Sequence, residues 1–137
     1  MLRSNEGAVL DRVATGVFDN PVDARWAAEF FADPRHHLAV AIQNGEVIGM
    51  ASAVHYVHPD KPPELWVNEV GVAPVYQNQG IGRRLMQALF ERGRELDCTE
   101  AWLGTERTNA SARRMYSAAG GVESDEFVIV TFNLADE

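Results

Sequence analysis

The order of apolar and polar positions along the 137-residue chain predicts helices and strands in alternation. Apolar residues that recur every three or four positions indicate helices, and short runs rich in β-branched and aromatic residues indicate strands. The expected elements are helices over 5–15 and 21–32, strands over 36–42, 46–57 and 64–72, a helix over 80–96, a strand over 100–105, a helix over 109–121 and a strand over 126–134. This order is typical of an α/β fold. We therefore expect a single three-layer α/β domain over residues 1–137.

Local signals mark the ends of several of these elements. Asn20 is expected to cap the second helix, with Pro21 in its first turn. Asn44-Gly45 is the dipeptide most typical of a two-residue hairpin turn. Asn109 is expected to cap the last helix, which Gly120-Gly121 should end.

Composition narrows the class of protein. The chain is 46% hydrophobic and 23% charged, as in soluble globular domains. It has no apolar run of the about 18 residues that a bilayer span needs and no signal peptide, so we expect no membrane partner. Its single cysteine, Cys98, excludes an intramolecular disulfide and favours the cytoplasm.

The distribution of charge is uneven. A net charge of −8 argues against general nucleic-acid binding. Residues 1–82 carry a net −5 and residues 115–137 also carry −5, whereas residues 83–114 carry +2. This basic segment directly follows a glycine-containing loop. It is either a solvated helix face or part of an anion site.

The loop itself lies where the long helix begins. Gly80 and Gly82 fall in the first turn, where backbone N–H groups have no intrahelical partner. Without Cβ atoms an anion can approach these donors, and Arg83 and Arg84 follow at once. The pattern favours a phosphate or pyrophosphate ligand. The alternative is that the glycines only permit a tight turn between strand and helix.

Two motifs resemble the Gcn5-related N-acetyltransferase (GNAT) family. Gln77-x-x-Gly80-x-Gly82, after Pro74 ends a strand, is similar to its acetyl-coenzyme A loop. The segment NASARRMYSAAGG at 109–121 is similar to its later helix, at the separation that the family shows. The resemblance implies a mixed, mostly antiparallel sheet flanked by helices. Its usual first strand is short or missing here, since at most Met1–Arg3 could supply it.

The resemblance implies acetyl-CoA as co-substrate and assigns residues to it. The backbone of the strand before the loop would pair with the pantetheine arm, the loop and one arginine would hold the pyrophosphate, and two residues of the later helix would lie beside the pantetheine and the thioester sulfur. These residues are, in that order, Val70, Gly71 and Val72; Gln77, Asn78, Gln79, Gly80, Ile81, Gly82 and Arg83; and Asn109 and Tyr116.

Two residues are candidates for catalysis of amine attack on the thioester. Strand alternation predicts that Leu65, Val67 and Glu69 share one face, and a carboxylate among apolar residues suggests a cleft. We interpret Glu69 as general base or as anchor for a cationic substrate, and Tyr116 as acid for the thiolate or as a hydrogen-bond donor to it. The alternatives are a surface glutamate and a core tyrosine.

The acceptor is predicted to be a primary amine of a polycationic small molecule. Glu69, Glu123, Asp125 and Glu126 are the candidate substrate-binding acids. The N-terminal helices, GEVIGMASAV and the closing TFNL segment are similar to aminoglycoside 3-N-acetyltransferases. Related sequences also modify polyamines, peptide amines and small metabolites. A non-catalytic coenzyme A-binding module and a plain phosphate-binding domain are alternatives of other classes.

Other reactive side chains carry no predicted role. No metal site is expected, because the histidines have no acidic or cysteine partner at ligand spacing. These histidines are His36, His37, His55 and His58. Cys98 has no catalytic part, since the thioester belongs to the cofactor. Members of the resembled family are often dimers, and the short N-terminal edge of the sheet suits pairing with a second copy, which makes a homodimer a further prediction.

Overall fold

A computed structural model describes residues 1–2 and 4–135 of the chain. The described chain divides into two compact units, the first Met1–Leu103 and the second beginning at Gly104. In order, the elements are a 3-10 helix (Ser4–Asp11), α1 (Ala24–Ala32), β1 (His36–Gln43), β2 (Glu46–Tyr56), β3 (Glu64–Val72), a 3-10 turn (Pro74–Tyr76), α2 (Ile81–Glu95), β4 (Ala101–Trp102) and α3 (Ala110–Ala118). The single domain over residues 1–137 stays a prediction.

The first unit contains a four-stranded mixed sheet in the order β1-β2-β3-β4. β2 is antiparallel to both β1 and β3, whereas β4 runs parallel to β3. Helix α2 packs on one face, and α1 with the N-terminal 3-10 helix packs on the other. The predicted α/β class, with a mostly antiparallel sheet between helices, is therefore confirmed.

Apolar side chains fill the space on both faces of the sheet. On the α2 face, Leu85, Met86 and Leu89 are at most 5% exposed. A Cβ on Gly93 would lie 3.2 Å from a methyl carbon of Leu65, so the small residue lets the helix lie close to β3. On the opposite face, Val17 packs with the buried sheet residues Leu38, Val47 and Met50 and with Ala73. These contacts fix the position of β3 and α2.

Most of the residues predicted to begin or end a helix or to form the hairpin turn do so in the structure. Asn44 and Gly45 have φ of 54° and 77°, as a primed hairpin turn requires. The Oδ1 atom of Asn109 accepts a hydrogen bond of 3.1 Å from the Ala112 amide at the start of α3. Gly120, with φ of 96°, takes the left-handed conformation that ends this helix.

The predicted cap of the second helix was wrong. Helix α1 begins at Ala24, and the Asp23 carboxylate accepts hydrogen bonds of 2.9 and 3.1 Å from the Arg25 and Trp26 amides. Asn20 and Pro21 precede the helix altogether. A carboxylate at the cap satisfies two of the free N–H groups and interacts favourably with the helix dipole.

The predicted strand over residues 126–134 was also wrong, since none of these residues forms a strand in the described chain. Apolar composition alone does not make a strand, because a strand needs a hydrogen-bonded neighbour. Leu2 donates a 2.8 Å hydrogen bond to the Leu38 carbonyl without forming a strand of its own, and Arg3 lies outside the described residues. The strand predicted over 100–105 is limited to Ala101–Trp102.

Candidate active site

The sheet opens along the second half of β3. Pairing between β3 and β4 is confined to Leu65 with Ala101 and Trp66 with Trp102. Pairing of β3 with β2 continues to Val72. Among the residues of the first unit that are described, β3 therefore has no strand partner on its β4 side beyond Trp66. An open edge of this kind can pair with an extended ligand that carries amide groups.

A β-bulge lies in the middle of β3, directly before the candidate base. Ser52 of β2 pairs with Glu69 and Ala53 pairs with Val67, so Asn68 is the extra residue. A one-residue insertion moves the following side chains to the other face. The prediction that Leu65, Val67 and Glu69 share a face was therefore wrong.

The residues that contact β3 show which of its side chains lie on each face of the sheet. Leu65 lies on the α2 side, because it approaches Gly93. Glu69 and Gly71 lie on the opposite side, since a Cβ on Gly71 would approach Met50 and collide with the Val17 carbonyl oxygen. The absence of a side chain at Gly71 thus lets the N-terminal segment lie directly against β3.

This close approach places a second carboxylate near Glu69. The pKa of the Glu69 carboxyl is raised, first by partial loss of hydration and second by the negative charge of Asp19. A carboxylate with a raised pKa is a better acceptor for an amine proton, and two adjacent carboxylates suit a cation. Asp19 was not predicted as a site residue, because it lies 50 positions before Glu69 in the chain. Gly71 was the sequence feature that indicated close packing at this point of β3.

The glycine loop presents backbone donors at the start of α2. Gly80 precedes the helix with φ of 80°, and Asn78 is also left-handed, with φ of 63°. Nothing lies within 4 Å of a Cβ built on Gly80, so its backbone conformation and not crowding explains the glycine. The backbone amide of Arg84 donates a 3.1 Å hydrogen bond to the Gly80 carbonyl. By helix geometry the three preceding amides, of residues 81–83, have no intrahelical acceptor and are available to an anion.

Two glutamine side chains hold this loop. The Nε2 atom of Gln77 donates a 3.0 Å hydrogen bond to the Val72 carbonyl, and that of Gln79 donates to the Val75 carbonyl at 3.5 Å. Gln77 therefore joins the loop to the end of β3, which leaves its backbone to face a ligand. Arg83 and Arg84 are exposed and add positive charge next to the free amides.

The second unit holds the other predicted residues. Asn109 caps α3, and Tyr116 lies two turns along that helix. Tyr116 is half-buried, and burial raises the pKa of its phenol, so the hydroxyl stays protonated at neutral pH. A protonated phenol has the form that an acid for a thiolate requires.

The acidic residues of the second unit differ in their surroundings. Glu123 forms a bidentate salt bridge with Arg113, with N–O distances of 2.7 and 2.8 Å. This interaction lowers the pKa of the Glu123 carboxyl. Its charge is therefore balanced by a neighbour. Asp125 and Glu126 are exposed, and the Glu126 amide donates to the Ser124 hydroxyl at 3.2 Å. Asp125 and Glu126 carry more free negative charge for a cationic ligand than Glu123.

A family model described as the Acetyltransferase (GNAT) family matches residues 10–120. The chain belongs to the GNAT family. It is thus an acetyl-CoA-dependent N-acetyltransferase. This GNAT chain is 27% identical over 110 residues to an uncharacterized N-acetyltransferase of Mycobacterium tuberculosis, covering 80% of this chain and 67% of the relative.

Solved structures show the same GNAT fold. An aminoglycoside acetyltransferase from an uncultured soil metagenomic sample superposes with a TM-score of 0.80 and 17% identity, over 98% of this chain and 93% of the other. The aminoglycoside N-acetyltransferase AAC(6')-Iy, solved in complex with CoA, gives a TM-score of 0.70 and 23% identity, over 81% of this chain and 85% of the other. At these identities the likeness concerns the fold.

The residues of the first unit suit the cofactor of GNAT enzymes. The open edge of β3 offers Val70–Val72 to the amides of a pantetheine arm, and the amides before Arg84 suit a pyrophosphate. Among the described residues, no helix is long and apolar enough to span a bilayer.

Proposed function

We propose that this GNAT enzyme acetylates a primary amine of a polycationic small molecule, with an aminoglycoside as the leading acceptor. The observation that carries this proposal is the pair of carboxylates, Glu69 and Asp19, on β3 and the segment packed against it. A protonated amine approaching the open half of β3 meets two negative charges. The charge of the whole chain, −8, favours the approach of a cation.

In the proposed reaction, Glu69 accepts a proton from the substrate ammonium, directly or through one water. The free amine nitrogen then attacks the thioester carbonyl carbon of acetyl-CoA. The C–S bond breaks, and Tyr116 donates its phenolic proton to the departing thiolate. The acylated nitrogen then passes its remaining excess proton to the Tyr116 phenolate, and Glu69 releases the first proton to solvent. Asp19 lowers the cost of removing the proton, because its charge raises the pKa of Glu69. Both residues act as proton carriers and return to their starting forms after product release.

The cofactor contacts proposed are those of the loop and the strand edge. Val70, Gly71 and Val72 pair with pantetheine, and the backbone of 77–82 with Arg83 binds the pyrophosphate. Asn109 lies beside the pantetheine in this proposal. The loop is pre-organised for this role, since the Gln77 side chain holds it against β3. The enzyme would work in the reducing cytoplasm, which suits a chain with one free cysteine, Cys98.

Support for the aminoglycoside acceptor comes from two sources. The sequence resembles aminoglycoside 3-N-acetyltransferases, and two proteins with the same fold are described as aminoglycoside acetyltransferases. One of the two is a 6' enzyme. The 3-N position is therefore the prediction of the sequence resemblance alone, and the site of acetylation must be determined on the product. Polyamines, peptide amines and smaller amino metabolites are the other acceptors to compare.

An acceptor panel tests the proposal. Release of CoA thiol is measured with aminoglycosides, spermidine and a lysine peptide, against a reaction without acceptor that corrects for Cys98. We expect turnover with an aminoglycoside to exceed that with the other amines, and NMR of the product to locate the acetyl group. Tight binding of acetyl-CoA without release for any acceptor would instead indicate a non-catalytic binding module.

A matched pair of variants tests the carboxylates. Glu69→Gln keeps the shape of the side chain and removes the base, so kcat should fall about 10²–10⁴-fold while the affinity for acetyl-CoA stays nearly unchanged. Asp19→Asn keeps the base and removes the neighbouring charge. It should shift the acidic limb of the pH–rate profile to lower pH. Full activity of Glu69→Gln would remove this residue as general base.

A further inference from the structure

Ser52 is a buried polar residue in the middle of β2, next to the candidate base. It is 9% exposed, and its partner on β1 is Leu38. Leu38 and Met50, which lies two positions before the serine and on the same face, both belong to the apolar core. Among the described residues, none forms a hydrogen bond with the Ser52 hydroxyl. A buried hydroxyl without a partner lowers stability, so packing alone does not explain a serine here.

The β-bulge in β3 brings Glu69 opposite this serine. Ser52 pairs with Glu69 across the two strands, because Asn68 is the extra residue of the bulge. In a regular ladder Ser52 would pair with Asn68, and Glu69 would lie on the other face of the sheet. Directly paired residues have Cβ atoms about 4.5–5.5 Å apart. Glu69 is exposed, so rotation of its side chain brings the carboxylate within hydrogen-bond distance of the serine hydroxyl.

The surroundings of Glu69 favour its protonated form. Partial loss of hydration raises the pKa of its carboxyl, and so does the charge of Asp19 in the N-terminal segment. Its neighbours on β2 and β3, which are Ser52, Asn68 and Val70, are uncharged. A protonated carboxyl cannot accept the proton of an ammonium group. A hydroxyl that donates a hydrogen bond to the carboxylate favours the ionised form instead.

We propose that Ser52 is a positioning residue for the general base: its hydroxyl donates a hydrogen bond to one carboxylate oxygen of Glu69 and directs the other oxygen towards the substrate ammonium. This inference rests on the proposed function, since it needs Glu69 to act as the base. The transferred proton moves from the ammonium to Glu69, and the serine keeps its own proton. Asp19 makes Glu69 a stronger base, whereas Ser52 keeps Glu69 ionised near neutral pH.

The pH dependence of kcat tests the proposal, with the amine of the acceptor panel that is turned over fastest. Ser52→Ala should move the acidic limb of the profile to higher pH by about one unit, the opposite direction to Asp19→Asn. Below that limb kcat should fall about 10-fold, because one pH unit is a tenfold change in the ionised fraction. The KM for acetyl-CoA should stay unchanged. Ser52→Thr keeps the hydroxyl and should restore the wild-type limb.

A double variant distinguishes positioning of the base from any other role of the serine. When Glu69→Gln is already present, Ser52→Ala should lower kcat no further, because the hydroxyl acts only through the carboxylate. An additional loss would mean that Ser52 acts on another group, and it would overturn the proposal. Circular dichroism and acetyl-CoA binding verify that each variant is folded.

NMR titration of the Glu69 carboxyl provides a readout that needs no turnover. It is carried out on the full chain with CoA and excess spermidine. The carboxyl should titrate about one pH unit lower in the wild-type protein than in Ser52→Ala. Equal titration in the two proteins would overturn the role of Ser52.

The variants also separate this inference from the proposed function. A wild-type pH profile in Ser52→Ala, with an inactive Glu69→Gln, would overturn the role of the serine and leave the base in place. Full activity of Glu69→Gln would overturn both.

Discussion

Removal of the buried histidine His37 should abolish much of the pH dependence of stability in the weakly acidic range. The His37 Nε2 atom lies 2.8 Å from His55 Nδ1, and the two rings stack with centroids 5.1 Å apart. His37 is only 6% exposed. Burial, with smaller contributions from the charges of His55 and Arg92, lowers the pKa of His37 from 6.5 to about 4.

The magnitude follows from this shift. Below pH 6.5 the unfolded chain binds a proton at this position, whereas the folded chain does not until about pH 4. The free energy of unfolding therefore falls as the pH falls, by about 1.4 kcal/mol per pH unit. The full effect, about 3 kcal/mol, is reached below pH 4. Above pH 7 the His37–His55 pair does not change how the free energy of unfolding depends on pH.

Urea unfolding between pH 8 and pH 5 measures this slope. The wild-type free energy of unfolding should fall by at least about 2 kcal/mol across the range. His37→Gln should be less stable at pH 8 and should show a much smaller slope, the remainder coming from His55, whose pKa burial also lowers. His58→Gln, in the loop after β2, is the matched control and should keep the wild-type slope. A wild-type slope near zero, or the same slope in His37→Gln, would refute the reasoning. Stopping at pH 5 keeps the titration of Asp33 and Glu123, whose pKa values are lowered, outside the range.

Substitutions at two glycines, Gly80 and Gly71, probe the site. Gly80→Glu should abolish acetyl-CoA binding in calorimetry, because it places bulk and negative charge at the free amides. Gly80→Ala adds only left-handed strain of about 1 kcal/mol and should retain measurable affinity. Gly71→Ala should lower stability by about 1–3 kcal/mol in thermal unfolding, since its Cβ collides with the Val17 carbonyl. The matched control is Gly104→Ala, whose Cβ makes only an ordinary 3.7 Å contact and should change stability little. Equal losses of stability in Gly71→Ala and Gly104→Ala would contradict the close packing at Gly71.

Local signals in the sequence predicted several turns and caps, and the two motifs predicted the co-substrate. The hairpin at Asn44-Gly45, the cap at Asn109 and the glycine at the start of α2 each depend on a few adjacent residues. The two family motifs are also local, and they named acetyl-CoA as co-substrate. Because the amides that suit a pyrophosphate belong to one loop and one helix turn, their arrangement is determined over short distances along the chain.

Tertiary pairing decided the rest of the candidate site. The bulge at Asn68 exists only in the pairing of β3 with β2, and a shift of one residue moved Glu69 to the opposite face. Asp19 reaches Glu69 because Gly71 lets a distant segment pack against β3. The run over 126–134 has the composition of a strand, yet strand formation depends on a neighbour that the local sequence does not supply. The sequence by itself determined the conformation of the glycine loop and the order of the elements up to α3, because these follow from local conformational preferences. The register of a strand, the face on which its side chains lie and its strand partners depend on contacts between residues far apart in the chain. Only the folded structure decided them.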